Sequence, residues 1–260
     1  MTNDSMNPQT LSLPEIEALF SRTLVENFDT EDAMEALRAL QSRGSRDVLE
    51  YATAWCKSDE PLKRSSGVIV LGQLGDAEPY GVIAEMLKAE LDPGAIHSAI
   101  SALGHLGDLR AIPLILPYAD HVAQEVRFSL AVALGTFAND PRAISCLLQL
   151  TSDVDDDVRD WAVFSLGVLG DADSPEIRDA LLRCLQDGDV NVREEAAVGL
   201  GKRRDERVVP RLLEMLALGQ SEVKVRVAEA TVALLGLVQD PPEWGILDYK
   251  DALRDKFGIR

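Results

Sequence analysis

The sequence is poor in the residues and runs that would mark most enzymes, secreted proteins or membrane proteins. Cysteine occurs only at Cys56, Cys146 and Cys184, far apart and inside apolar stretches such as Ile144–Leu148 and Leu181–Leu185, and no Cys-x-x-Cys pair is present. This gives no disulfide framework and predicts buried thiols in a reducing compartment. No apolar run approaches the roughly 18 to 20 residues of a membrane span, and the first eight residues, Met1 to Pro8, are polar without a basic or apolar signal region. A cytoplasmic protein that does not engage membranes is therefore expected.

Basic charge is also scarce. Twenty-six Lys and Arg stand against 44 Asp and Glu, a net charge of −18 over 260 residues. Nucleic acid binding relies on cations that neutralise phosphates, so nucleic acid is excluded as a ligand. A basic partner is favoured instead, because complementary fields steer its encounter.

Histidine is limited to three residues, of which His97 and His105 lie eight apart, about 12 Å along a helix, too far to hold one ion together. His-Glu-x-x-His, a phosphate-binding Gly-rich loop and a nucleophile elbow are missing. Acid pairs such as Asp156-Asp157 have no base beside them. The expectation is a protein without catalytic residues, metal or cofactor.

Alternating strand patterns are absent as well, and a helical repeat fills the chain. Leu71-Gly72, Leu103-Gly104, Leu134-Gly135, Leu166-Gly167 and Leu200-Gly201 recur at intervals of 32, 31, 32 and 34 residues, the period of a helical hairpin. Eight residues before four of these glycines stand Arg64, Arg127, Arg159 and Arg193, the last three preceded by valine, while Ile96 replaces the arginine in the second unit. Val225-Arg226 opens a further unit with Leu234 at the glycine position. In three of the five glycine units Val, Ala or Leu, and Leu fall at i, i+4 and i+8, one face of a helix. Between the frames lie second apolar helices such as Ile144–Leu150 and Val208–Leu216, joined by short connectors rich in Gly, Asp and Pro, including Gly75–Pro79 and Asp187–Asp189.

Such a hairpin cannot bury its apolar face alone. About seven pairs stacked into an all-α, right-handed α-solenoid are expected across residues 13–238, with a mobile segment at 1–12 and a terminal cap at 239–260 that includes Trp244 and Leu253.

The Val-Arg frame, the Leu-Gly that closes it and the Asp-containing turn resemble the HEAT-like repeat typified by the phycobilin lyase subunits, over roughly residues 60–235. A narrower resemblance runs through Leu40–Gly44, Trp55-Cys56, Val158–Phe164, Val192–Ala196 and Arg203–Val208 to enterobacterial HEAT-repeat proteins encoded beside Rhs polymorphic toxins, which are regarded as immunity factors. That resemblance implies a protein that binds and occludes a basic toxin or effector domain. The lyase-type resemblance implies, as an alternative, an auxiliary subunit holding a small molecule. The adjacent His-Glu ligands of HEAT-like deoxyhypusine hydroxylases have no counterpart here.

The resemblance also places the Val-Arg helices on the concave side. Positions one, two, five and nine after each arginine then face away from the apolar stripe, at about 100° per residue. The middle units put Phe128, Val132, Trp161, Phe164, Val168 and Val198 there, with Asp160, Glu194 and Glu195 beside them. Large apolar side chains ringed by charge make a candidate protein-binding surface. A second candidate is an acidic edge at the starts of the Val-Arg helices, formed by Asp155, Asp156, Asp157, Asp187 and Asp189. It lies within residues 151–190, where eleven carboxylates meet three arginines. The only cation at the groove positions of the Gly201 unit is Lys202, which speaks against a HEAT-fold DNA glycosylase. The repeated Arg127, Arg159 and Arg193 are expected to pair with loop carboxylates of neighbouring units.

Overall fold

A computed structural model describes residues 11–25, 30–42, 46–74, 79–217, 221–237 and 244–259. Residues 1–10 of the expected mobile segment, the connector at 75–78 and the start of the expected cap at 239–243 lie outside them. Leu11 is buried, and Ser12 starts the first helix, its amide donating to Glu15.

The described residues form helices joined by turns and short irregular connectors, with no strand among them. Seven helix pairs follow one another: α1 (Leu13–Arg22) with α2 (Glu31–Ser42), α3 (Arg46–Trp55) with α4 (Pro61–Gln73), and α5 (Tyr80–Ala89) with α6 (Pro93–Leu106). Next come α7 (Ile112–Ile115) with α8 (Gln124–Gly135), α9 (Pro141–Leu150) with α10 (Asp156–Phe164), α11 (Pro175–Cys184) with α12 (Val190–Lys202), and α13 (Val209–Ala217) with α14 (Ser221–Leu235). A last helix, α15 (Ile246–Phe257), packs Tyr249 and Leu253 against α13 and α14. α7 is only four residues long and is flanked by 3-10 turns at Leu109–Ala111 and Leu116–Asp120. Pro113 and Pro117 explain this, because neither can donate to an α-helical ladder.

The chain forms two compact units, residues 1–133 and 134–260, divided within α8. In each, the second helix of one pair lies along the second helix of the next: α4 on α6, and α10 on α12 on α14. We call these the frame helices, since they carry the Val-Arg frame.

The recurrent glycine is where neighbouring frame helices touch. A Cβ on Gly72 would lie 2.7 Å from the Cβ of Ala102, and one on Gly104 would lie 2.5 Å from that of Ala133. In the second unit Gly135 meets Ser165, Gly167 meets Gly199 backbone to backbone, and Gly201 lies against the Ala230 carbonyl. The partner of four of these glycines, at 102, 133, 165 and 199, sits two residues before the next glycine, so the last four of the five frames read small-Leu-Gly, with the leucine buried in the core and a small residue on each side of it at the contact.

The frame arginines tie the loops. Nη1 of Arg64, Arg127, Arg159 and Arg193 donates to the carbonyl six residues earlier, on Ser58, His121, Asp153 and Asp187, at 2.8 to 2.9 Å. Arg64 and Arg159 also make two-pronged ion pairs to the next loop, with Glu90 and Asp187, at 2.6 to 2.9 Å. Each carboxylate in turn accepts loop amides, so one guanidinium fixes two successive loops.

Gly201→Ala tests the backbone contact. Alanine gains up to about 1 kcal/mol in helix propensity, yet its methyl displaces the Ala230 backbone. The expected net loss is roughly 1–3 kcal/mol, read as a lower denaturant midpoint at unchanged slope. Gly188→Ala, which meets nothing within 4 Å, should leave the midpoint in place.

Candidate functional site

The expected groove positions divide into three kinds. The second position after the arginine faces the neighbouring frame helix: Ser66, Ser98 and Ser129 there are buried, with hydroxyls bonded to Thr23, to the Gly94 carbonyl and to the Val126 carbonyl. Serine fits because the glycine contact holds the helices close. The second unit breaks the rule, placing Trp161 and Glu195 in this slot on adjacent frame helices.

Phe128 and Val132 in the first unit, and Trp161, Phe164 and Val168 in the second, are half-buried rather than open. Trp161 and Phe164, one turn apart on α10, pack edge to face with ring centroids 5.5 Å apart. The expectation that Glu194, Glu195 and Val198 face solvent is corrected: they are 9%, 7% and 0% exposed. α12 lies between α10 and α14, so side positions that would be free on an isolated helix are covered. Lys202 is exposed, and its ammonium bonds the Val168 carbonyl.

α10 ends in a single π-turn over Ser165–Leu169, closed by the Gly170 amide donating to the Ser165 carbonyl at 2.9 Å. Arg203 caps this end. Its nearly buried guanidinium donates to the carbonyls of Leu166, Gly167, Gly170, Ala172 and Gly199 at 2.7 to 3.2 Å. Carbonyl dipoles at two helix ends here take the place of a counter-carboxylate. Sequence reading missed this residue, because an arginine after Leu-Gly-Lys looks like a surface charge.

The buried electrostatics of the second unit centre on Asp160 and Glu195. Asp160 Oδ1 and Glu195 Oε2 are inaccessible to solvent and have no hydrogen-bond partner among the described residues. Arg226, from α14, pairs with Glu195 Oε1 at 2.6 Å and with Glu229 at 3.1 Å. Burial, then the charges of Asp189 and Asp157, push the Asp160 carboxyl up to about 6 against the pull of Arg226. Burial likewise pushes Glu195 up to about 7; Arg226 opposes this, while Asp160, Glu229 and Glu194 reinforce it.

The acidic edge splits by role. Asp155 and Asp189 cap α10 and α12, accepting from Val158 and from Asn191 and Val192, and Asp187 is the partner of Arg159. Asp156 and Asp157 are exposed in the first turn of α10. One carboxylate oxygen from each of Asp155, Asp156 and Asp157 lies within 4.8 Å of the others.

Sequence reading also missed the loop position five residues before the frame arginine or, in the second glycine unit, before the Ile96 that replaces it. Leu91 and Val122 in the first unit and Val154 in the second are 88%, 94% and 92% exposed. The frame arginine holds this loop from inside, Arg159 reaching the Val154 carbonyl at 3.2 Å. The signal was available in the 31- and 32-residue spacing of these three side chains.

The cysteines are buried thiols outside any disulfide, and burial pushes the Cys56 and Cys184 thiols up to about 12 and about 11, so both stay protonated and unreactive. No described helix is long and apolar enough to cross a membrane.

Paired helices, glycine contacts between frame helices and an arginine ladder define an all-α repeat protein of the solenoid class. The HEAT-repeat family matches residues 81–167 and 165–235, and the chain belongs to it. It is similar to the protein YibA of Escherichia coli K12, 28% identical over 204 residues covering 74% of this chain and 72% of YibA. The crystal structure of E. coli YibA aligns over 95% of this chain and 99% of its own with a TM-score of 0.68 at 23% identity, a likeness of fold. Mouse deoxyhypusine hydroxylase is 26% identical over 239 residues, covering 82% of this chain and 78% of the enzyme.

Asp160 yields a pH test. A carboxyl whose folded pKa is raised holds its proton longer in the folded state, so stability falls as pH rises from about 4 to about 6 and stays lower above that. Asp160→Asn should therefore melt at a higher temperature than wild type at pH 8, with the difference shrinking towards pH 5, measured by circular dichroism at both pH values.

Proposed function

We propose that this protein is a non-enzymatic binding solenoid that holds a basic protein, of toxin or effector type, against the frame helices of its second unit and occludes it. The observation that carries this reading is the Trp161–Phe164 pair, half-buried on α10 directly after the exposed Asp156 and Asp157. Rigid aromatic area gains energy when a partner covers it, and the carboxylates set the sign of the partner. Val154, exposed among Asp153, Asp155, Asp156 and Asp157, extends the same combination of apolar tip and acidic rim to the loop edge. The net charge of −18 favours a basic partner over an acidic one. An immunity-type role fits a surface made for occlusion, and the buried, protonated thiols of Cys56 and Cys184 offer no nucleophile for turnover.

The test is affinity capture from the source cell, followed by reconstitution with the purified captured protein. A single basic protein should bind wild type with salt-sensitive affinity. Trp161→Ala/Phe164→Ala, checked for retained helicity, should weaken it roughly 30-fold or more, the scale of hot-spot residues. Asp156→Asn/Asp157→Asn should weaken it less and flatten the salt dependence. Equal affinity of all three forms would overturn the assignment of this face.

A further inference from the structure

The first unit carries a cavity that the proposed partner face does not use. It has a volume of about 610 Å³ and is walled by α4, α6 and the first turn of α8. Ser65 and Ile69 on α4 and His97 on α6 line it, and these are frame positions that face away from the apolar stripe. Sites for small molecules usually occupy about 300–1,000 Å³, so the space suits a ligand rather than a trapped water or two.

The wall is rich in acceptors. Asp92 and Glu125 both line the cavity, no Lys or Arg is among its described lining residues, and neither carboxylate has an ion-pair partner among the described residues. Arg64, the cation of this frame, is committed to Glu90 and to the Ser58 carbonyl. Several donors of the wall are spent inside the protein. Pro61 and Pro93, which open α4 and α6, have no amide hydrogen to offer. The Ala95 and Ile96 amides donate to Asp92 Oδ1 and to the Asp92 carbonyl at 3.0 and 2.9 Å, and the Ser98 hydroxyl donates to the Gly94 carbonyl at 2.9 Å. His97 Nδ1 lies 2.9 Å from the Glu125 carbonyl. A carbonyl only accepts, so Nδ1 carries the proton and Nε2 of the neutral ring is one more acceptor.

Such a wall selects a donor-rich cation. A metal ion is disfavoured by ligand number: among the described residues the only group of three carboxylate, thiol or imidazole ligands within 4.8 Å is Asp155, Asp156 and Asp157, which lie elsewhere. A guanidinium gains from stacking on flat rings, and no Phe, Tyr or Trp is among the described lining residues. Val25, Leu62 and Ile69 instead supply aliphatic surface. A primary ammonium is a compact charge with three donors on an apolar stem, and it matches both parts of the wall. We infer that this cavity binds an aliphatic primary amine, with the ammonium taken by the acidic wall of Asp92 and Glu125 and the alkyl stem laid along Leu62 and Ile69. The same chemistry is carried by a free alkylamine and by a lysine side chain. The site belongs to the first unit and stands or falls independently of the Trp161–Phe164 face.

The test is calorimetric titration of the full chain at low salt with n-hexylammonium, against n-hexanol as the neutral isostere and hexyltrimethylammonium as a cation without N–H donors. Saturable binding of n-hexylammonium is expected, with both controls at least about tenfold weaker, as loss of one charged hydrogen bond implies. Shifts in 1H–15N spectra should be confined to α4, α6 and the start of α8. Asp92→Asn and Glu125→Gln should each weaken binding about tenfold, and asparagine keeps the cap of α6, so that helix still forms. Glu85→Gln removes an exposed carboxylate outside the cavity and should leave binding unchanged, which separates the site from the general field of an acidic protein. N-acetyl-L-lysinamide distinguishes the sources: tighter binding than n-hexylammonium assigns the site to a lysine side chain, weaker binding to a free amine. Absence of saturation, equal binding of either control, shifts outside these helices, or Asp92→Asn and Glu125→Gln variants that bind like Glu85→Gln would each overturn the site.

Discussion

The spacing of the frame helices is set by glycine, and the remaining features of each unit follow from it. When Gly104 lies against Ala133, or Gly201 against Ala230, no side chain separates the backbones. Residues along the flanks of each frame helix are then pressed against a neighbour. This is why serine fills the second frame position in the first three glycine units, and why its hydroxyl turns back on a local backbone carbonyl or a single nearby hydroxyl. A looser stack would have left Glu194, Glu195 and Val198 wet. The contact also explains why leucine precedes the glycine, since its buried side chain fills the core while the small residues on either side of it lie at the contact.

The arginines complete what the glycines begin. Close helices force their connecting loops together, and each loop leaves carbonyls at helix ends that need donors. Arg159 serves its own loop through the Asp153 carbonyl and the next through Asp187, and Arg64 does the same with Ser58 and Glu90. These pairs are partly buried and two-pronged, the geometry in which an ion pair fixes a register rather than merely decorating a surface. Arg203 solves the same problem where α10 unwinds into its π-turn. Arg226 occupies a frame position too, but its described partners are the carboxylates of Glu195 and Glu229.

Much of the fold was legible from the sequence because it is periodic. The Leu-Gly interval gave the pair length, and the Val-Arg frame gave the buried face. The role of Arg159 as a tie to a loop carboxylate followed from the recurrence of arginine at that frame position. What stayed illegible depended on lateral packing. An angular projection treats each helix alone, so it set Glu195 and Val198 outside when a third helix covers them. It also could not find Arg203, whose partners are backbone carbonyls that leave no trace in residue identity. The exposed Leu91, Val122 and Val154 were visible as a spacing but stood outside the frame that drew attention.

The second unit departs from the repeat at the slot where the first unit is most uniform. A stack built only for stability would carry serine or alanine at positions 161 and 195, as it carries Ser66, Ser98, Ser129 and Ala228 at the equivalent points. Instead it places an indole and a carboxylate there, with Asp160 beside them. Burial then raises both carboxyl groups towards neutral pH, which costs folded stability once the pH rises past the ordinary carboxylate range. Local rules are broken together, on two neighbouring helices, next to the one aromatic pair of α10. Conflicts of this kind are expected where a sequence has been shaped by something other than its own core.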